Sequence, residues 1–224
     1  MGAFGAFGKM PALGDFFRLG VAQDVVPPWD GFLQATLLLA KARLGDRFED
    51  CYMSAPIWRF ALPPGVAGNQ GVLGVLMPSI DRVGRQFPLT LLAQTGYEEQ
   101  APLRNLIWQA PVLAALEAVA LDALDDSMTR ETLAARLADL SLRSMGVPSR
   151  ILTSGSSLVL SNEVPDLFCA DLALDLAGGE FHRACAWSAT IDGTARLILT
   201  AGLPKDDVAV QLFDLTGQAA RELA

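Results

Sequence analysis

A layered α/β/α sandwich around a mixed β-sheet is the fold class that the sequence predicts. Short apolar runs separated by glycine and proline fill residues 57 to 92, alanine and leucine recur at helical spacing from 103 to 142, and strand-like segments return near the end, where Asp192-Gly193 reads as a tight hairpin turn. Strands on both sides of a helical middle call for a sheet covered by helices, and the hairpin requires at least one antiparallel pair.

Phe4 to Gly8 has near-alternating apolar character and runs into the Gly/Pro-rich stretch Gly8-Lys-Met-Pro-Ala-Leu-Gly-Asp, which predicts a short strand followed by a loop. Pro27-Pro28-Trp29-Asp30 opens a segment with Phe32, Leu33, Thr36, Leu37 and Ala40 on one helical face. Gly45 supplies the stop, so a helix of about four turns is expected. The runs beginning at Ile57, Gly71 and Phe87 predict neighbouring strands. Leu103 to Leu124 and Thr129 to Leu142 predict two successive helices, the second capped by Ser127 or Thr129 and ended by Gly146-Val-Pro148. Strands at 157 to 160, 184 to 190 and 195 to 200 and a closing helix from about 204 to 215 complete the reading. The organisation expected is one domain over 1–224, with a motif-rich part at about 1–95, a helical middle at about 103–142 and a strand-rich part at about 150–224.

With 51% hydrophobic and 19% charged residues in 224, the chain can bury a substantial core. Its 17 basic and 25 acidic side chains give a net charge of -8, which opposes the phosphate neutralisation that nucleic-acid binding requires, so neither DNA, RNA nor an anionic membrane is expected as a partner. Cys51, Cys169 and Cys185 are odd in number and scattered, which fits a reducing compartment, and cytoplasm is expected. No signal peptide is read at the N-terminus, and the longest apolar stretches fall far short of the roughly 20 residues a membrane span needs.

Few residues offer chemistry. Gly5-x-x-Gly8-Lys9 lacks the first glycine and the hydroxyl of a phosphate loop, since Ala3 and Met10 stand in those places. Turns and close backbone approach explain its glycines more simply. His182 is the only histidine, so neither a histidine-rich metal site nor a two-histidine relay can be built, and it is read as a partly exposed strand residue. Cys185 and His182 lie three apart, which on a strand points them to opposite faces. Ser54 and Ser79 sit outside a Gly-x-Ser-x-Gly elbow, and Asp15, Asp30 and Asp81 suit turn or cap duty better than a magnesium cluster. No catalytic residue, cofactor or metal is assigned.

Asp81-Arg82-x-Gly84-Arg85 is the most interesting chemical feature, because two arginines and an acid crowd one turn. Either the acid and arginines form an internal network, Asp81 with Arg82 or Arg59 with Asp15, or one or both arginines face a partner's acidic or phosphorylated segment. Trp29 and Trp58 are expected in the core, with Lys9, Asp15, Arg59 and Phe87 in structural roles. Phe16 and Phe17 are adjacent, so in an extended segment one points outward, and they join Asp81, Arg82 and Arg85 as partner-binding candidates. The competing reading is a small-molecule or phosphoryl enzyme centred on Lys9, Asp15, Asp81, Arg82 and Arg85, which would have to converge in one pocket.

The segments Gly8-Lys-Met-Pro-Ala-Leu-Gly-Asp-Phe, Pro28-Trp-Asp-Gly-Phe-Leu-Gln, Ala55-Pro-Ile-Trp-Arg-Phe-Ala-Leu and Met77-Pro-Ser-Ile-Asp-Arg-Val-Gly-Arg-Gln-Phe-Pro-Leu-Thr, in that order, resemble the N-terminal motifs of the TagF (ImpM) family. Cys185-Ala-Trp-Ser and Ala201-Gly-Leu-Pro resemble its weaker C-terminal features, although Ala186-Trp187 stands where relatives often carry paired tryptophans. The resemblance implies an α/β sandwich and an accessory protein of bacterial type VI secretion that restrains the apparatus after translation. It further implies a non-catalytic repressor that binds another component, in some relatives through a forkhead-associated scaffold protein and in others beside a phosphatase of the threonine kinase/phosphatase pathway.

Overall fold

The structure is a computed structural model that describes residues 2–96, 101–144, 149–154, 157–161, 167–177, 181 and 183–214. Its frame is a seven-stranded sheet built from β1 (Gly5–Gly8), β2 (Phe17–Leu19), β3 (Trp58–Leu62), β4 (Val72–Met77), β5 (Leu89–Gln94), β8 (Cys185–Ile191) and β9 (Thr194–Thr200), in the order β2-β1-β5-β4-β3-β8-β9. β6 (Arg150–Ser154) and β7 (Ser157–Ser161) form a separate hairpin. The helices are α1 (Val26–Leu44), α2 (Phe48–Met53), α3 (Pro102–Trp108), α4 (Ala110–Asp122), α5 (Arg130–Ala138), α6 (Leu167–Ala177) and α7 (Asp206–Val210).

Alternation along the central strands divides the core into two layers. Leu73, Val75 and Met77 of β4 and Leu89, Leu91 and Ala93 of β5 point to one side, where they pack with Leu113, Leu116 and Ala120 of α4 and Leu133 of α5. Val72 and Leu76 of β4 and Leu92 of β5 point to the other, against Trp29, Leu33 and Leu37 of α1. A sheet clothed on both faces must be apolar on both, and β4 is buried at all six positions. This is the layered α/β fold. The antiparallel pairing that the hairpin demanded extends to every described pairing in the sheet, so the parallel pairs of a mixed sheet are not among them.

The hairpin turn has Asp192 at φ 48° and Gly193 at φ 77°, the left-handed pair that suits the twist of two antiparallel strands. Thr129 caps α5 by accepting a hydrogen bond from the Thr132 N–H at 3.1 Å. The continuous helix expected from 103 to 124 is instead two, α3 and α4, parted at Gln109. Pro111 has no N–H to give and disfavours helical backbone before it. The Gln109 side chain is buried and clasps residue 143, donating to the Arg143 carbonyl at 2.7 Å and accepting from its N–H at 2.9 Å.

Candidate functional site

Two loops meet beside the β1 end of the sheet, one joining β1 to β2 and one joining β4 to β5. The second is organised by Asp81. Its carboxylate is buried and accepts from Lys9 Nζ at 2.9 Å, from Arg85 Nε at 2.6 Å, and from the N–H groups of Arg85 and Val83 at 2.9 and 3.1 Å. Burial pushes the Asp81 carboxyl pKa up, but the bonds from Lys9, Arg85 and Val83 outweigh it and hold the group well below the usual carboxylate range. Gly84 closes the turn at φ 82° and returns its N–H to the Asp81 carbonyl at 2.8 Å. Under the loop, the Tyr52 hydroxyl donates to the Ser79 carbonyl at 2.8 Å and accepts from the Ser79 N–H at 3.0 Å.

The β1–β2 loop is stapled to this frame. Arg82 N–H donates to the Leu13 carbonyl at 2.9 Å and Arg85 Nη2 to the Gly14 carbonyl at 2.6 Å. The Arg82 guanidinium lies across the same glycine, since a methyl group there would sit 3.2 Å from its Nη2. Phe16 packs edge-on to Phe87, with centroids 4.5 Å apart and Lys9 Nζ 4.8 Å from its ring, yet it stays 44% exposed while Phe17 is buried. Val83 is 69% exposed. The outer surface of the paired loops therefore presents Arg82, Val83, Arg85 and Phe16 together.

The internal pairs expected from the sequence are corrected by the geometry. Asp81 binds Lys9 and Arg85, not Arg82, because the turn carries residue 82 outward and brings residue 85 back over the carboxylate. Arg59 binds Glu117 of α4 with two 2.7 Å bonds, not Asp15, because β3 lies against the helical layer and away from the β1–β2 loop. Asp15 is exposed and accepts from the Phe16 N–H at 2.8 Å. Asp30 is engaged by Gln34 at 2.7 Å, and Ser54 turns its hydroxyl back to the Asp50 carbonyl at 2.7 Å. Thus Lys9, Asp81, Arg82 and Arg85 do come together, but the first two are spent on a buried ion pair.

Trp29 and Trp58 are core residues. Trp29 Nε1 donates to Thr90 Oγ1 at 2.9 Å and its ring stacks on Phe60 and Trp187, while Trp58 Nε1 donates to the Leu212 carbonyl at 2.8 Å. Cys185 is buried, which pushes its thiol up to about 12, so it stays protonated at neutral pH. His182 lies outside the described residues. Among the described residues no group of three or more His, Cys, Asp or Glu could hold a metal ion, and no helix is long and apolar enough to cross a membrane.

The family profile of the TagF N-terminal domain, type VI secretion system-associated, matches residues 5–140. The chain belongs to the TagF family. A solved structure, the crystal structure of PA0076 from Pseudomonas aeruginosa PAO1 at 2.05 Å resolution, is similar over 94% of both chains, with 31% sequence identity and a TM-score of 0.72. A search of the curated proteins found no match. The profile ends at residue 140, but the sheet continues beyond it through β8 and β9. Both loops of the candidate site fall inside the TagF match.

Sequence reasoning missed Gly14, Val83 and Tyr52 as parts of this site. Gly14 and Val83 lie within the TagF-like motifs, so their place could have been read there. Tyr52 gave no signal, because only the fold brings α2 under Ser79.

Proposed function

We propose that this TagF-family protein is a non-catalytic post-translational regulator, a repressor, of type VI secretion that acts in the cytoplasm by binding another component of the system. The observation that carries the proposal is the state of Arg82. Its guanidinium is exposed and makes no ion pair among the described residues, on a loop held in place by the bonds converging on Asp81. An arginine fork preorganised this way loses little freedom on gripping a carboxylate or phosphate. Phe16 and Val83 add apolar area of the kind that anchors interfaces.

The partner we propose is a secretion component with an acidic or phosphorylated segment, a forkhead-associated scaffold protein first among those to test, with a functional link to the threonine kinase/phosphatase pathway. The non-catalytic part of the reading is supported by the engagement of Lys9 and Asp81 with each other. Those two groups, the best acid–base candidates in the cluster, are buried and mutually neutralised. The test is a pull-down from secretion-competent cells with wild type and Arg82→Ala, beside a secretion assay. Recovery of a secretion component by wild type but not by the variant, with secretion released, is the expected result. Recovery of no secretion component, with secretion unchanged on deletion, would sink the reading.

A further inference from the structure

The seven-stranded sheet ends in two unlike edges. β2 is only three residues long, and the Arg130 guanidinium sits 5.8 Å from the ring centroid of its Phe17. β9 is seven residues long, Thr-Ala-Arg-Leu-Ile-Leu-Thr, with no proline and Arg196 as its one charge. Short length, charge and proline are the devices that stop an edge from pairing, and β9 is nearly bare of them.

The register of the β8–β9 hairpin fixes which backbone groups are free. Around the two-residue turn, Ile191 and Thr194 are the flanking hydrogen-bonded pair, and alternation assigns Ala189 with Arg196, Trp187 with Ile198 and Cys185 with Thr200 to the same class. The N–H and C=O groups of Ala195, Leu197 and Leu199 therefore point away from β8, and among the described residues no backbone group pairs with them. Their side chains share one face, on which Leu197 is 51% exposed.

We infer that β9 is the pairing edge for a second copy of this chain, joined antiparallel about a two-fold axis at Leu197. The strand carries threonine at both ends and leucine at its centre. Under that axis Leu197 meets Leu197 of the second copy, Ala195 meets Leu199, and each of these pairs exchanges both backbone bonds, which satisfies every outward group of both strands. Thr194 meets Thr200, a favourable cross-strand pair. Arg196 falls opposite Ile198, so the two arginines do not face each other, whereas an in-register parallel pairing would stack them. The edge lies at the far end of the sheet from β1 and β2, so pairing leaves the Arg82 surface free and stands or falls separately from the proposed function.

Sedimentation velocity of the full chain over a range of micromolar concentrations tests the inference. The mass should rise from the 23.9 kDa of one chain towards twice that value, and the amides of Ala195, Leu197 and Leu199 should exchange more slowly as concentration rises. Leu197→Lys, which sets two ammonium groups face to face at the axis, should stay monomeric throughout with an unchanged circular dichroism spectrum. Ala195→Pro deletes an outward donor without touching the β8 ladder and should do the same, which keeps the test alive should Leu197→Lys misfold. A wild-type mass that stays at one chain overturns the inference, whether the edge amides exchange fast or are protected by another segment or a different protein. So does a dimer that both variants leave intact.

Discussion

The ammonium of Lys9 lies 2.9 Å from the carboxylate of Asp81, and their side chains are 6% and 0% exposed. One comes from the loop after β1 and the other from the loop after β4, so this contact fixes two chain segments far apart in sequence. It also separates two kinds of residue within the candidate site, those that build the surface and those that face outward from it.

Alanine substitutions should sort along that line. Asp81→Ala leaves Lys9 a buried ion without its counter-charge, and Lys9→Ala leaves the buried Asp81 carboxylate with Arg85 as its one cation among the described residues, so both should lower the melting temperature clearly. Arg82→Ala removes an exposed side chain and should leave the melting temperature within about 1–2 °C of wild type, as surface changes do. Arg85→Ala falls between, since it loses the bonds to Asp81 and Gly14 but not the Lys9 contact. Thermal melting with a secretion assay checks the order: Arg82→Ala should release secretion without loss of fold. Equal melting temperatures for all four variants would contradict it.

The same cluster sets a pH dependence. Asp81 has its folded-state pKa depressed, so its stabilisation is fully present above the unfolded carboxyl value of about 3.9 and is lost as pH falls below that towards the folded-state value. Wild type and Asp81→Asn should therefore differ by a constant margin from about pH 5 to 8, and the margin should shrink below about pH 4. Melting curves collected across pH measure it. A margin that widened on acidification would give the opposite sign and refute the assignment.

All strands of the sheet but the three-residue β2 were legible because they carry their own punctuation. Pro63-Pro64-Gly65, Gly84 and Asp192-Gly193 mark turns whether or not a partner strand is known, and the apolar runs between them admit few other readings. α6 was illegible for a physical reason. Its buried stripe is Leu167, Ala170, Asp171 and Leu174, a helical spacing interrupted by a carboxylate that Arg104 of α3 neutralises at 2.9 Å. A charge inside an apolar stripe breaks the pattern until the counter-charge is seen, and nothing in the chain's order links residues 104 and 171. The site follows the same logic. The arginines of its turn stood out, but which of them would fold back onto Asp81 depended on turn geometry.

The indole groups of the second core layer offer a sharper comparison. Trp29 and Trp187 stack with centroids 6.1 Å apart and rings inclined by 6°. Trp29 Nε1 is bonded to Thr90, whereas Trp187 Nε1 is buried without a partner among the described residues. Replacing either with phenylalanine leaves a similar void, but only Trp29→Phe strands a buried hydroxyl. Denaturant unfolding should show Trp29→Phe to be the more destabilising by about 1–2 kcal/mol, the cost of leaving a buried group unmade. Equal losses would mean that the Thr90 bond contributes nothing beyond packing.

Helix capping supplies the last prediction. α5 is only nine residues long, and just two of its side chains, Leu133 and Leu137, are buried, both in the first core layer beside α4. A helix this short does not sustain itself in water, so it depends on that packing and on its cap. Thr129→Ala removes the acceptor for the Thr132 N–H and should cost about 1 kcal/mol. Thr129→Ser keeps the oxygen and should recover most of the loss, which separates the cap from the methyl group. Ser127→Ala is the control: residue 127 precedes the cap, its N–H (at 2.8 Å) and its side chain bond, among the described residues, only to the exposed carboxylate of Asp125, and it should lose markedly less. Urea unfolding midpoints of the three variants decide the matter, and a Ser127→Ala loss as large as that of Thr129→Ala would move the cap to the wrong residue.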